Sequence, residues 1–155
     1  MPEVTIRVAR EDELLAIKRL SVKQTILELD EDELKEKERI EKEALQRLDR
    51  FYTRPGNEYY VAEAENGEMA GYVWFGISEK PFSGMRVGWI YDIEVLPAFR
   101  ERGIGEALMK HALKVGKERG LSETGLMVNQ KNRVAWSLYE KLGFQTEYRI
   151  MGKRD

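Results

Sequence analysis

The sequence predicts a mixed α/β fold, read as one domain over residues 1–155. Three observations carry that prediction. Asn66-Gly67 sits between two strand-like runs in the first half, a hairpin signal. The second half instead alternates helical and strand-like segments. No internal repeat, low-complexity tract or Pro-rich linker divides the halves, so they should share one sheet. At 155 residues the chain is about one domain long, enough to bury a core without disulfide or metal staples.

Val4-Thr5-Ile6-Arg7-Val8 alternates apolar and polar residues like a half-buried strand, and Leu14, Leu15, Ile17, Leu20 and Ile26 then follow helical spacing. From Glu28 to Arg50 a highly charged run is interrupted by Leu34, Ile40, Ala44, Leu45 and Leu48. That pattern predicts a second amphipathic helix with Asp30 near its N-cap. Arg54-Pro55-Gly56-Asn57 is a turn. Tyr59, Tyr60 and Val61 begin a strand, and Asn66-Gly67 predicts a type I′ hairpin onto a partner running from Met69 to Ile77. After a loop at Pro81, Phe82, Ser83 and Gly84, the apolar segment Val87 to Leu96 completes an antiparallel meander. Gly103 to Gly120 then reads as a helix, Leu126-Met127-Val128 as a strand, Asn132 to Leu142 as a helix and Phe144 to Met151 as a final strand.

The 26 Lys and Arg residues against 28 Asp and Glu leave a formal charge of -2, which gives no electrostatic reason to expect a nucleic-acid partner. No apolar stretch approaches the ~18 residues of a membrane span. Glu3, Arg7, Arg10 and Glu11 also break up any signal-peptide core, so a cytoplasmic protein without a membrane partner is expected. The absence of Cys excludes disulfides, thiolate metal sites and cysteine nucleophiles. A single histidine, His111, leaves no partner for an imidazole cluster, so no metal is expected.

The most informative stretch runs from Val95 to Gly105, between a buried strand and an amphipathic helix. Helix N-termini expose unpaired N–H groups and the positive end of the dipole, and glycines let a diphosphate approach the backbone. Arg100 and Arg102 add positive charge. A P-loop is excluded because Gly105 is followed by Glu106-Ala107 rather than Lys and Ser or Thr. A dinucleotide fingerprint is disfavoured because Leu108 stands where the third glycine belongs.

Arg100-x-x-Gly103-x-Gly105 resembles the acetyl-CoA pyrophosphate loop of the GNAT superfamily of N-acetyltransferases. A second signature of that family lies at the required distance: Asn132-x-x-Ala135-x-x-Leu138-Tyr139-Glu140-x-x-Gly143-Phe144. The resemblance covers Val87 to Phe144 closely and the remaining chain loosely. It implies a mixed sheet with antiparallel N-terminal strands and a parallel pair around the acetyl-CoA site, flanked by helices. It also implies acetyl-CoA as cosubstrate and an amine acceptor. Backbone groups of Ile93, Glu94 and Val95 would face the pantetheine arm as though it were an added strand. Arg100, Glu101, Arg102, Gly103, Ile104, Gly105 and Glu106 would hold the pyrophosphate, while Asn132 and Tyr139 would border the coenzyme. Asn132 also suits the N-cap of its own helix. Lys131, Arg133 and Lys141 read as solvated surface charges.

An amine of pKa ~10.4 is overwhelmingly protonated at pH 7, so presenting a free lone pair to a thioester costs roughly 4 to 5 kcal/mol. Some group must accept that proton. Asp92 and Glu94 interrupt an otherwise apolar strand, and buried acids seldom lack a reason, so both are candidate bases. Tyr139 matches the tyrosine that serves many relatives as general acid toward the coenzyme sulfur. Some protein-acetylating relatives place a glutamate base in the next strand, where this sequence has Met127. His111 is expected to be structural, as are Trp74, Trp89, Tyr91 and Trp136, although Trp74 or Tyr91 would suit the wall of an acceptor pocket.

The expected function is therefore N-acetylation of a primary amine of a small molecule, by direct attack in a ternary complex, since no cysteine can carry the acetyl group. Protein or peptide N-acetylation and a non-catalytic acyl-CoA-binding regulatory domain are the alternatives; Asp92 and Tyr139 weigh against the second. The acidic run Glu28 to Glu33 favours a cationic acceptor such as a polyamine or basic peptide. A homodimer is compatible with the sequence, which has no feature that decides it.

Overall fold

The first strand, β1 (Val4–Val8), pairs antiparallel with β2 (Glu58–Ala64), and between them run α1 (Leu14–Leu27), α2 (Glu31–Leu34) and α3 (Lys37–Tyr52). The computed structural model describes residues 3–155. The chain continues through β3 (Met69–Glu79), β4 (Arg86–Val95), α4 (Ile104–Glu118), β5 (Thr124–Leu126) and α5 (Arg133–Lys141). The sheet has the order β1-β2-β3-β4-β5, antiparallel throughout except for the parallel pair β4 and β5. The expected mixed α/β architecture is thus observed.

Each face of the sheet carries its own core. On one face Val73, Phe75 and Ile90 pack with Leu108, Met109 and Ala112, the apolar stripe of α4, and with Tyr139 of α5. On the other, Tyr59, Val61, Tyr72 and Trp74 pack against Ile17 of α1 and against Leu48 and Phe51 of α3. Strand alternation decides the division, because successive residues point to opposite faces.

Local structure departs from expectation at four points. The hairpin turn is not type I′, because Asn66 keeps a negative φ and only Gly67 takes the left-handed conformation (φ 85°). Gly67 N–H bonds the Ala64 carbonyl and Ala64 N–H bonds the Glu68 carbonyl, giving a three-residue loop with a bulge. The charged helix expected from Glu28 to Arg50 is broken: Asp30 caps α2 through a capping box with Glu33, and Glu36 leaves helical geometry before α3 starts. Leu34 is the only apolar residue of α2, too little to carry the helix across that point. The strand expected at Leu126-Met127-Val128 ends at Leu126, leaving Met127 73 % exposed. Residues 144–155 form no strand. Phe144 packs on the core, but the three-residue β5 offers too short an edge for a further ladder, and Tyr148, Ile150 and Met151 are exposed.

Candidate active site

β4 is paired on both sides only at Gly88, Trp89 and Ile90, where β5 runs alongside. Beyond Ile90 it keeps β3 as its partner and loses β5, so residues 91–95 form an open edge inside the sheet. The register there is interrupted. Trp74 pairs with Asp92 and Phe75 with Ile90, which leaves Tyr91 as an extra residue, a β-bulge. The bulge resets side-chain parity. Ile90 packs on the α4 face, yet so do Ile93 and Val95, while Tyr91 joins the α1/α3 face. Asp92 and Glu94 consequently face the α1/α3 side, where Asp92 meets Tyr72 and Glu94 lies in the field of Lys23.

Asp92 accepts a 2.6 Å hydrogen bond from the Tyr72 hydroxyl. Burial pushes its carboxyl above the ordinary range, against the pull of the Tyr72 and Ser21 hydroxyls and the Ile93 N–H. Glu94 is also raised by burial, with Arg100 pulling it back. Arg100 sends Nη2 to Glu94 Oε1 and Nε to the Val95 carbonyl, both at 3.0 Å. The Val95 carbonyl, expected to be free for an added strand, is therefore already engaged. The guanidinium expected at the loop mouth is tied to the end of β4.

The loop after β4 places Glu101 (φ 64°) and Gly103 (φ 77°) in the left-handed region on either side of Arg102. That conformation is uncommon for a non-glycine residue and costs on the order of 1–3 kcal/mol. Among the described residues, the backbone N–H groups of 101–106 find no acceptor, and the first helical bond runs from Ala107 to the Gly103 carbonyl. Unpaired amides at the start of a 15-residue helix are the kind of donor set that can take an anion. Glu106 does not compete for it, since Lys110 and Lys141 hold its carboxylate at 3.1 and 3.0 Å. Arg102 lies over the Phe99 ring.

α5 supplies Tyr139. Asn132 caps that helix, its side chain accepting from the Ala135 N–H at 3.2 Å. The Tyr139 ring is buried against Phe144, and burial followed by the charge of Asp92 pushes its hydroxyl up to about 12. Its hydroxyl has no hydrogen-bond partner among the described residues. The stretch of β4 that β5 leaves unpaired thus carries Asp92 and Glu94 on one face and runs directly into the loop at 100–105, while Tyr139, on the α4 face, feels the charge of Asp92.

A pocket of about 150 Å³ opens on the α1/α3 side, lined by Ser21, Thr25, Arg47, Phe51, Trp74 and Tyr91 among others. Its rings are stacked: Trp74 on Tyr91 at 4.7 Å and Phe51 on Tyr91 at 5.9 Å between centroids. Asn57 locks the wall: its Oδ1 accepts from the Trp74 Nε1–H at 3.0 Å, and its Nδ2 donates to the carbonyls of Phe51 and Arg54. A larger hollow of about 480 Å³ lies by β1 and the β2–β3 turn, with Arg102 and Ile104 on its margin.

Sequence reasoning did not single out Tyr72, Ser21, Arg47, Phe51 or Asn57 for this region. Alternation along β3 would have put Tyr72 on the face of Trp74, and Ser21 is a buried polar residue on an otherwise apolar helix stripe. His111 behaves as expected: it packs edge-on against Tyr60 at 4.5 Å, and burial lowers its pKa. Lys131 and Arg133 are exposed.

Residues 23–144 match the acetyltransferase (GNAT) family. The thialysine N-epsilon-acetyltransferase of Bos taurus is 34% identical over 153 residues, covering 94% of this chain and 86% of that protein. A mycothiol acetyltransferase of Saccharomonospora viridis is 30% identical over 114 residues, 72% of this chain and 37% of that protein. The chain spans about a third of the length of the mycothiol acetyltransferases it matches. The solved structure of a Pyrococcus furiosus protein assigned as an acetyl transferase superposes with a TM-score of 0.82 at 28% identity, over 99% of this chain and 100% of that one.

Proposed function

The chain belongs to the GNAT acetyltransferase family, and from that premise we propose that it transfers the acetyl group of acetyl-CoA to a primary amine of a small molecule by direct attack in a ternary complex. The observation that carries this reading is the open stretch of β4, which bears Asp92, whose charge reaches Tyr139, and leads directly into the unpaired amides of 101–106. The small pocket beside Ser21 favours a small acceptor, being well under the ~300–1,000 Å³ of drug-sized sites.

Pyrophosphate oxygens would take the amides of Glu101, Arg102, Gly103, Ile104, Gly105 and Glu106, with helix α4 supplying the positive dipole end. The pantetheine arm would lie along the open edge at Ile93, Glu94 and Val95, donating to the Val95 carbonyl beside Arg100 Nε or in its place. In this arrangement Glu94 holds Arg100 in place, and Asn132 acts on the coenzyme through the orientation of α5.

Asp92 accepts one proton from the acceptor ammonium; its raised pKa makes it a stronger base than an ordinary carboxylate. The freed lone pair forms the C–N bond at the thioester carbonyl. As the tetrahedral intermediate collapses the C–S bond breaks, its electron pair leaves on sulfur, and nitrogen sheds its second proton to solvent. Tyr139 donates its hydroxyl proton toward that sulfur and regains one from water. A phenol near 12 resists full transfer to a thiolate near ~8.5, so donation tracks the charge that develops in the transition state rather than preceding it.

The test is thiol release from acetyl-CoA across a panel of free amines, amino acids, aminoglycosides and peptide N-termini, a clean readout because the chain contains no Cys. Amine-dependent release with a small molecule supports the reading. Release with peptides alone, or none at all, counts against it.

A further inference from the structure

The pocket at Ser21 has a chemical polarity that narrows the acceptor. One end adjoins Asp92, because its register partner Trp74 and its chain neighbour Tyr91 both line the pocket. Its middle is walled by Phe51, Trp74 and Tyr91, apolar surface suited to methylene groups. At its rim stands Arg47, the one charged side chain among its lining residues.

Arg47 is out of pattern for its helix. Positions 44, 47, 48 and 51 of α3 line the pocket, and the other three are Ala, Leu and Phe. Two cations nearby are paired with acids: Arg39 bonds Glu36 and Glu43, and Lys18 bonds Asp49 at 2.7 Å. Among the described residues Arg47 has no such ion pair. The acidic run that suggested a cationic acceptor is directed elsewhere, with Asp30 paired to Arg154 and Glu28 accepting from Asn129 at 2.6 Å. None of its acids lines the pocket.

Resting on the acetyltransferase reading, we propose that the acceptor is an amine bearing a carboxylate at its far end, and that Arg47 receives this carboxylate while the reacting nitrogen reaches Asp92. A guanidinium matches a carboxylate through two parallel N–H donors. A bare diamine would instead place its second ammonium against Arg47, a like charge with no acid on the pocket wall to offset it. Diamino acids are the simplest molecules with both ends, and their decarboxylated counterparts differ by the carboxylate alone.

The experiment measures steady-state CoA release for lysine against cadaverine and ornithine against putrescine, with the wild type and Arg47→Gln. Arg47 is exposed, so the substitution leaves the core intact. The expected result is a kcat/KM at least ~10-fold higher for each diamino acid. Arg47→Gln should erase that preference by raising KM for lysine and ornithine ~10-fold or more, with kcat and the diamine parameters unchanged. Equal wild-type turnover of diamine and diamino acid overturns the proposal, as does a substitution that slows both alike. If no amine releases CoA, the acetyltransferase reading fails on its own, and calorimetric binding of lysine and cadaverine then decides the role of Arg47. Tighter lysine binding that is lost in Arg47→Gln upholds it; equal binding overturns it.

Discussion

Tyr72 on β3 donates its hydroxyl proton to a hydrogen bond with Asp92 on β4 at 2.6 Å, so a half-buried carboxylate is held by a phenol from the neighbouring strand. The bond favours the ionised acid and opposes the burial that raises its pKa. Tyr72→Phe should therefore move the acid limb of the kcat/KM profile to higher pH and lower the rate at pH 7. An unmoved limb would show that Asp92 is not the group titrating there.

Asp92 also links activity to stability. The folded carboxyl binds its proton more tightly than the unfolded one, so folding stability falls as pH rises above the ordinary 3.8. Asp92→Asn keeps an acceptor for Tyr72 and removes the charge. We expect kcat to drop by at least ~100-fold, with a higher Tm than the wild type at pH 7 and no gain near about pH 3. Thermal melts at the two pH values check the sign.

Glu94 and Arg100 make the contrasting pair. Because Arg100 occupies Glu94 at 3.0 Å, Glu94→Gln should hold kcat within about threefold while changing KM for acetyl-CoA. A loss comparable to that of Asp92→Asn would move the base to Glu94.

Tyr139→Phe should lower kcat at least ~10-fold with little change in the KM for acetyl-CoA. With its hydroxyl pushed up to about 12, Tyr139 should impose no basic limb on the wild-type profile below about pH 10. An unchanged rate in the variant would remove Tyr139 from the chemistry.

Features set by nearby residues were legible in the sequence. The loop at 100–105, the Asn132 cap and the Asp30 cap each depend on a few consecutive side chains, and each is present. What stayed hidden depends on distant partners. The bulge at Tyr91 exists only in the register between β3 and β4, and it alone decides that Asp92 and Glu94 face α1 and α3. Tyr72 and Ser21 meet Asp92 across sequence separations that no local pattern encodes. The expected strand at Phe144 to Met151 failed for the same reason, since its alternation is real but β5 is too short to pair with it.

Direct attack in a ternary complex is tested by initial rates measured over a grid of acetyl-CoA and acceptor concentrations. Intersecting double-reciprocal lines are expected, because with direct attack both substrates must be bound before any bond breaks. Parallel lines would mean that an acetylated protein forms and CoA departs before the amine binds, and would contradict direct attack.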